Sequence, residues 1–306
     1  MNDKQLDCVL IGYNETPFEE YAALLKSYGE DSEAYRDLRF SFVNLDGRSM
    51  NYIGLLNHVL KLAGVNDELK SCDIPNLAAI YLTHYLRRRG FEARYINLFQ
   101  FEKERLAEFL AEDPLCLAMT TTFYLLNLPV NEMVKFIRER NPRTKVIVGG
   151  PLIANHVRNY HGEELNVALE DIGADIYVNE SQGEHTLTLI IDALKNGGDL
   201  SRVPNIIYKE NGKLRQTPKL FETNSMDENF INWQTFVNED LGPTVQTRTA
   251  RSCAFNCSFC NYPKRAGKLT LASLETIEKE LDSLRGLGYV KNLVFIDDTF
   301  NVPLPR

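Results

Sequence analysis

Three cysteines, Cys253, Cys257 and Cys260, fall within eight residues in a Cys-x3-Cys-x2-Cys arrangement that follows a strand-like stretch, Thr244 to Ser252. In a reducing compartment, thiolates at this spacing are metal ligands sooner than disulfide partners. Structural zinc takes four protein ligands, often from two paired Cys-x2-Cys units, and all five histidines of the chain precede Cys260. A cubane iron–sulfur cluster can be held by three thiolates, which leaves one iron open to an exogenous ligand. The spacing favours such a cluster, with zinc or a metal-free cysteine-rich turn as the alternatives. Cys8, Cys72 and Cys116 stand alone in or beside apolar runs and read as small buried hydrophobes.

The elements that must position this loop follow from the pattern of the rest. A chain of 306 residues, 44% apolar and 25% charged, has the size and composition of about two cored domains. With 34 Lys and Arg against 42 Asp and Glu, its net charge of −8 argues against a nucleic-acid backbone binder. No run approaches the roughly 18 apolar residues of a membrane span, and the N-terminus lacks a basic region followed by an apolar one, so a cytoplasmic location is expected. Residues 8–12 form an apolar run ending in Gly12, the form of a buried parallel strand. Residues 14–73, rich in aromatics and with a helical stretch at 52–62, read as an ordered insertion.

After Pro75 a helix is predicted from the spacing of Leu77, Ile80, Tyr81, His84 and Tyr85, with Arg87, Arg88 and Arg89 in its last turn and Gly90 as its stop. Strands at 93–99, 115–119, 145–148 and 175–178 alternate with helices at 102–112, 127–140 and 184–194, and 205–208 with 213–216 form a closing hairpin around Asn211-Gly212. This alternation predicts an α/β, doubly wound parallel sheet over residues 1–215. Residues 216–243 then read as a linker and 244–306 as a second unit with its own core. In such sheets ligands bind beyond the carboxyl ends of the strands. Three loops there carry suitable residues: Thr120, Thr121 and Thr122 with hydroxyls, Gly149 and Gly150 with close backbone approach, and Gly183 and Glu184 at a helix N-terminus that favours an anionic or polar group. Neither a dinucleotide fingerprint nor a phosphate-loop lysine motif is present.

The cysteine loop, with Phe259 just before its third cysteine, resembles the signature loop of radical S-adenosylmethionine (SAM) enzymes. The resemblance implies that Cys253, Cys257 and Cys260 ligate a 4Fe–4S cluster, that the open iron chelates SAM, and that the backbone around Phe259 packs by the adenine. One-electron reduction would then yield a 5′-deoxyadenosyl radical. The loop would follow the first strand of a partial (β/α)6 barrel, with a helix from about 272 to 287 and a second strand at 293–296 ending in Asp297 and Asp298, either of which could contact SAM or substrate or serve as a structural cap.

The region in front is similar to the cobalamin-binding domain of the class B methylases, with Gly149-Gly150 and Gly183-Glu184 as the matching positions. An Asp-x-His-x-x-Gly motif is absent, so no histidine of that motif would reach cobalt, and His58, His84, His156, His161 and His185 are expected as surface or capping residues. Within the class, residues 6–21 with Leu45-Asp46-Gly47 and Asn51-Tyr52 look most like the phosphinothricin-type P-methyltransferase group. The implied activity is methyl transfer to an unactivated carbon or a phosphinate phosphorus of a small molecule, with a reductant such as flavodoxin or ferredoxin. Residues 244–306 hold two strands and one helix of that barrel, so the chain is expected to be incomplete and to need a second chain that supplies the rest. A non-catalytic corrinoid-binding or iron–sulfur carrier is the alternative.

Overall fold

The computed structural model describes residues 5–15, 17–66, 68–70, 74–300 and 302. Cys72, one of the three solitary cysteines, lies outside them. Strand β1 (Cys8–Tyr13) is buried along its whole length, as a central parallel strand requires.

Residues 15–73 form a unit of their own. It contains α1 (Phe18–Ser27), α2 (Glu33–Arg39), a hairpin of β2 (Val43–Leu45) and β3 (Arg48–Met50), and α3 (Tyr52–Leu62). Ser32 and Asn51 cap α2 and α3 by accepting from the main-chain N–H of Tyr35 and Gly54. Asp46 and Gly47 take φ of +49° and +74°, the two left-handed positions a tight hairpin turn demands. Phe42 meets Phe18 and Tyr35 edge-on, with ring centres 5.1 and 6.3 Å apart. The helix expected at 52–62 is present as α3.

The chain then runs through α4 (Leu77–Arg87), β4 (Ala93–Leu98), α5 (Lys103–Ala111), β5 (Cys116–Thr120), α6 (Leu128–Arg140), β6 (Lys145–Gly149), α7 (Pro151–Asn159), α8 (Gly162–Ile172), β7 (Ile176–Val178), α9 (Glu184–Asn196), β8 (Ile206–Glu210) and β9 (Lys213–Gln216). The strand order is β4-β1-β5-β6-β7-β8-β9. The first five strands are parallel and the last two antiparallel, so the sheet is mixed, with the predicted hairpin at its edge. Helices α7 and α8 were not expected from the pattern; they fill the β6–β7 crossover.

The period-2 alternation of the strands divides the apolar residues between two faces. Leu10, Ala118, Ile147 and Ile176 face α4 and α9, whereas Val9, Leu117, Val148 and Tyr177 face α5, α6 and α8. This is the doubly wound arrangement.

Beyond β9 come β10 (Thr244–Thr247), β11 (Ala250–Arg251), α10 (Tyr262–Ala266), β12 (Thr270–Leu271), α11 (Leu274–Arg285) and β13 (Asn292–Phe295). β10 and β13 pair in parallel, β11 and β12 antiparallel. The separate core expected for this part is not found. Ile231, Trp233, Phe236, Leu241, Val245 and Leu284 belong to the same buried cluster as Leu10, Leu77 and Ile190. The segment read as a linker is packed as well, because its apolar residues cover the α4–α9 face of the sheet, where Trp233 is 1% exposed. Its polar spacing hid those few large side chains.

Candidate functional site

The carboxyl ends of β5, β6 and β7 open on a cavity of about 1150 Å³. One side is formed by Thr120, Thr122, Gly149, Gly150, Gly183 and Glu184, the other by residues flanking the cysteine loop, among them Arg248, Arg251, Arg265 and Asp298. Six of the seven loop residues predicted at the sheet edge therefore share one cavity.

The seventh, Thr121, is turned away. It is fully buried, its Oγ1 donates to Gly149 O at 2.8 Å, and it accepts from Leu152 N at 3.1 Å. It therefore caps α7 and ties β5 to β6. Gly150 sits directly over it with φ +103°, and a Cβ there would approach Thr121 N and Oγ1 to 2.9 Å. Only glycine fits this floor.

The N-terminus of α9, expected to attract an anionic group, holds one from the chain itself. Glu222, from the segment after β9, accepts from His185 N at 2.9 Å and Thr186 N at 2.8 Å, and from the Thr186 hydroxyl. The orphan amides of the helix are thereby satisfied internally. Glu184 lies one residue before them, 6% exposed, and burial raises its carboxyl above the ordinary value while Arg248 opposes the shift. Arg248 also lies 4.9 Å from the ring centre of Tyr81, whose hydroxyl hydrogen-bonds Glu184 and is raised by burial. Asn224 Nδ2 stands within hydrogen-bond distance of Glu184 Oε2, Glu222 Oε2 and Gln182 O, at 2.8, 3.0 and 3.0 Å.

On the opposite side, Asp297 is committed to structure. Its carboxylate accepts from Thr249 N, the Thr249 hydroxyl and Ala250 N at 2.8, 2.7 and 2.6 Å, joining the end of β13 to the β10–β11 connection. Asp298 lines the cavity in its place, with its carboxyl raised by burial and by the neighbouring Asp297 charge.

The cysteine loop leaves β11 through Ser252, a non-glycine residue at φ +70° whose Oγ donates to Gly267 O at 2.6 Å. Cys253, Cys257 and Cys260 are free thiols, Cys257 exposed and the other two half-buried. Cys253 Sγ lies 3.0 Å from Thr299 Oγ1. Among the described residues no three His, Cys, Asp or Glu side chains converge on a metal-sized point, so the loop carries the donors without gathering them. Phe259, expected beside a bound adenine, is 87% exposed and does not line the cavity.

The histidines divide. His84 is buried, not on the surface: its Nε2 accepts from Asn232 N at 3.1 Å, and burial with Arg88, Arg87 and Arg89 lowers it to about 4. His156 Nε2 meets Asn127 Oδ1 at 2.7 Å, and His161 and His185 are exposed.

Sequence reasoning missed Tyr81, Gln182, Asn224, Arg248 and Arg251. Tyr81 sits at apolar helical spacing and read as core. Arg248 and Arg251 had a signal: two arginines in the strand-like lead to a cysteine loop.

No family model matches the chain. An uncharacterized methyltransferase of Pyrococcus horikoshii is 30% identical over 180 residues, 57% of this chain and 38% of that protein. The hopanoid C-3 methylase of Methylococcus capsulatus is 25% identical over 230 residues, 69% of this chain and 41% of that one. Among solved structures, the cobalamin-dependent radical SAM enzyme OxsB, with aqua-cobalamin and SAM bound, superposes with TM-score 0.60 at 17% identity over 98% of this chain and 35% of its own. The radical SAM methyltransferase TsrM of Kitasatospora setae, with tryptophan and a SAM analogue bound, gives 0.56 at 20% identity over 76% and 46%. The chain shares the fold of the matching parts of these two enzymes. It spans less than half the length of each of these relatives. No helix among the described residues is long and apolar enough to cross a membrane.

Proposed function

We infer that the chain carries the corrinoid-binding sheet and the cluster-binding loop of a radical SAM, cobalamin-dependent methyltransferase. The observation that carries this reading is the cavity itself, walled on one side by the sheet-edge loops and on the other by residues flanking the three cysteines. The residues fit the cofactors. Gly149 and Gly150 leave a floor without side chains, Thr120 and Thr122 offer hydroxyls above it, and the volume admits a large ligand. Three unpaired thiols on one irregular loop are the donor set of a site-differentiated 4Fe–4S cluster.

Cys253, Cys257 and Cys260 would hold the cluster, and the β5, β6 and β7 loops the cobalamin. When bound, these groups with SAM supply one-electron reduction and a carried methyl group. The chain's own residues do the rest. Glu184 stands on the cavity wall with its carboxyl raised by burial, a shift that Arg248 opposes from the same cavity. Asp298 faces the cavity with its carboxyl raised by burial and by the Asp297 charge, and Asp297 fixes the register of the strand end that presents it. The acceptor is an unactivated carbon or a phosphinate phosphorus of a small molecule, with electrons from a flavodoxin or ferredoxin.

Anaerobic reconstitution with iron and sulfide, followed by SAM and a chemical reductant, tests the cluster. Formation of 5′-deoxyadenosine supports the enzyme. A cluster indifferent to SAM supports the carrier reading, which draws on the openness of the Cys257 loop. Visible absorption after supply of hydroxocobalamin tests the sheet independently, and free corrinoid in the flow-through would remove that half of the reading.

A further inference from the structure

Glu184 and Glu222 come from distant parts of the chain, the start of α9 and the segment after β9, and both are more than nine-tenths buried. One side-chain amide joins them. Asn224 Nδ2 lies 2.8 Å from Glu184 Oε2 and 3.0 Å from Glu222 Oε2, so the two oxygens stand within about 6 Å of each other, the range in which like charges oppose ionisation. The same nitrogen is 3.0 Å from Gln182 O. An amide nitrogen has two hydrogens to give and three acceptors surround this one, so one acceptor goes without unless a carboxyl brings a proton of its own.

The surrounding charges do not settle the pair by contact. Among the described residues no Lys, Arg or His stands within ion-pair distance of Glu184 or Glu222, and Lys219, just before Glu222, pairs with Glu180 at 3.9 Å. Arg248 and Arg251 act on Glu184 from longer range, Tyr81 and Tyr85 face it from α4, and Glu180 adds a further acidic group near Glu222. Burial is the largest influence on Glu184 and outweighs the opposing Arg248. Glu222 is the better placed of the two to stay ionised, because it accepts from two main-chain amides and a hydroxyl at the N-terminus of α9.

We propose that Glu184 and Glu222 share one proton in the folded chain, carried by Glu184 beside the Asn224 amide, and that the pair is a pH-sensitive clasp between α9 and the segment after β9. With the proton in place the pair bears a single negative charge, which caps α9. Its loss sets two like charges on one amide in a buried place and loosens the clasp. Glu184 then keeps its proton to higher pH in the folded chain than in the unfolded one, so its contribution to stability is complete below the ordinary carboxylate range and is lost as pH rises through the raised value. The proposal does not rest on the reading above, because the clasp is built from the chain's own side chains.

The test is urea unfolding of the full chain, followed by Trp233 fluorescence, in the wild type and Glu184→Gln from about pH 5 to about pH 9. Gln stands in for the protonated carboxyl, so the two proteins should agree at the acid end. Each pH unit in which Glu184 is ionised only in the unfolded chain lowers the wild-type folding constant about tenfold relative to the variant, a difference of about 0.5 M in midpoint. The variant therefore becomes the more stable protein as pH rises, whereas a merely structural Glu184 would leave it the weaker one at every pH. In a Glu222→Gln background the gain should shrink, because the neighbouring charge that withholds ionisation is gone. Should Glu184→Gln fail to fold, carboxyl-carbon NMR of glutamate-labelled protein asks the same question: a glutamate titrating above the ordinary range should persist in Glu180→Gln and move down in Glu222→Gln. Midpoints of the wild type and Glu184→Gln that run parallel across the range, an equal gain in both backgrounds, or glutamates that all titrate in the ordinary range would overturn the proposal.

Discussion

Glu222→Ala tests the most specific structural claim made for the site, that an internal carboxylate holds the N-terminus of α9. Glu222 is 8% exposed and accepts from two main-chain amides, the Thr186 hydroxyl and the Asn224 amide. Removal of its carboxylate leaves at least the two amides without an acceptor in a buried place. An N-cap is worth about 1 kcal/mol and each buried donor deprived of a charged acceptor about 1–3 kcal/mol, so the loss should be about 3 kcal/mol. Glu222→Gln keeps one acceptor oxygen and should lose about half of that. Trp233 is the single tryptophan, 1% exposed in the same buried cluster as Leu187 and Ile190 of α9, so its fluorescence during urea unfolding reports the affected core. At a slope of about 2–3 kcal/mol per molar, typical of medium-sized domains, the midpoint should fall by about 1 M. A Glu222→Ala midpoint within the scatter of the wild type would refute the capping argument.

Other substitutions probe separate parts of the site. His84 is lowered from 6.5 to about 4, so between these values the unfolded chain takes up a proton that the folded one refuses; stability should fall as pH drops through this window, by up to about 3 kcal/mol, and His84→Gln should flatten that part of the pH profile. Gly150→Ala places a Cβ 2.9 Å from the Thr121 main chain at φ +103°; a loss of about 2–3 kcal/mol in thermal or urea unfolding is expected, and an unchanged midpoint would show that the floor can relax. Asp297→Ala removes the acceptor of three bonds at the β10–β11 connection and should accelerate hydrogen exchange at Thr249 and Ala250 more than at Val245. Cys257→Ala should abolish the brown chromophore of reconstituted protein while leaving the Trp233 unfolding transition in place, because Cys257 is exposed and outside the core.

The sheet was legible because its strands alternate with helices whose ends are punctuated: Gly90 at φ +86° stops α4, and Asn211-Gly212 at +50° and +76° turn β8 into β9. The sheet-edge loops were legible for the same reason, since a glycine or threonine after a buried strand marks the carboxyl edge. The side-chain roles there were not. Thr121 and Thr122 are neighbours in sequence and of one type, yet one is a buried cap and the other faces the cavity, a difference set by the close approach of Gly150 and not by any local pattern. Asp297 and Asp298 divide in the same way. Glu222 and Asn224 gave no signal because their partners lie about forty residues away, in α9 and its preceding loop.

Asn224 and Arg251 explain why the cysteine loop and the sheet are not independent bodies joined by a tether. Asn224 touches Gln182 and Glu184 at the edge of β7 with its amide, and with its carbonyl accepts from Arg251, two residues before Cys253. Displacing a member of such a buried polar chain strands a charge or an amide in a place water does not reach. The apolar cluster that runs from Ile190 through Trp233 to Val245 and Leu284 fixes the same geometry from below. The sheet-edge loops and the residues from which the cysteine loop departs are therefore held together by one set of contacts. Positioning across the cavity is then a property of the packed segment 216–243, and substitutions at Glu222 or Asn224 should disturb both walls together.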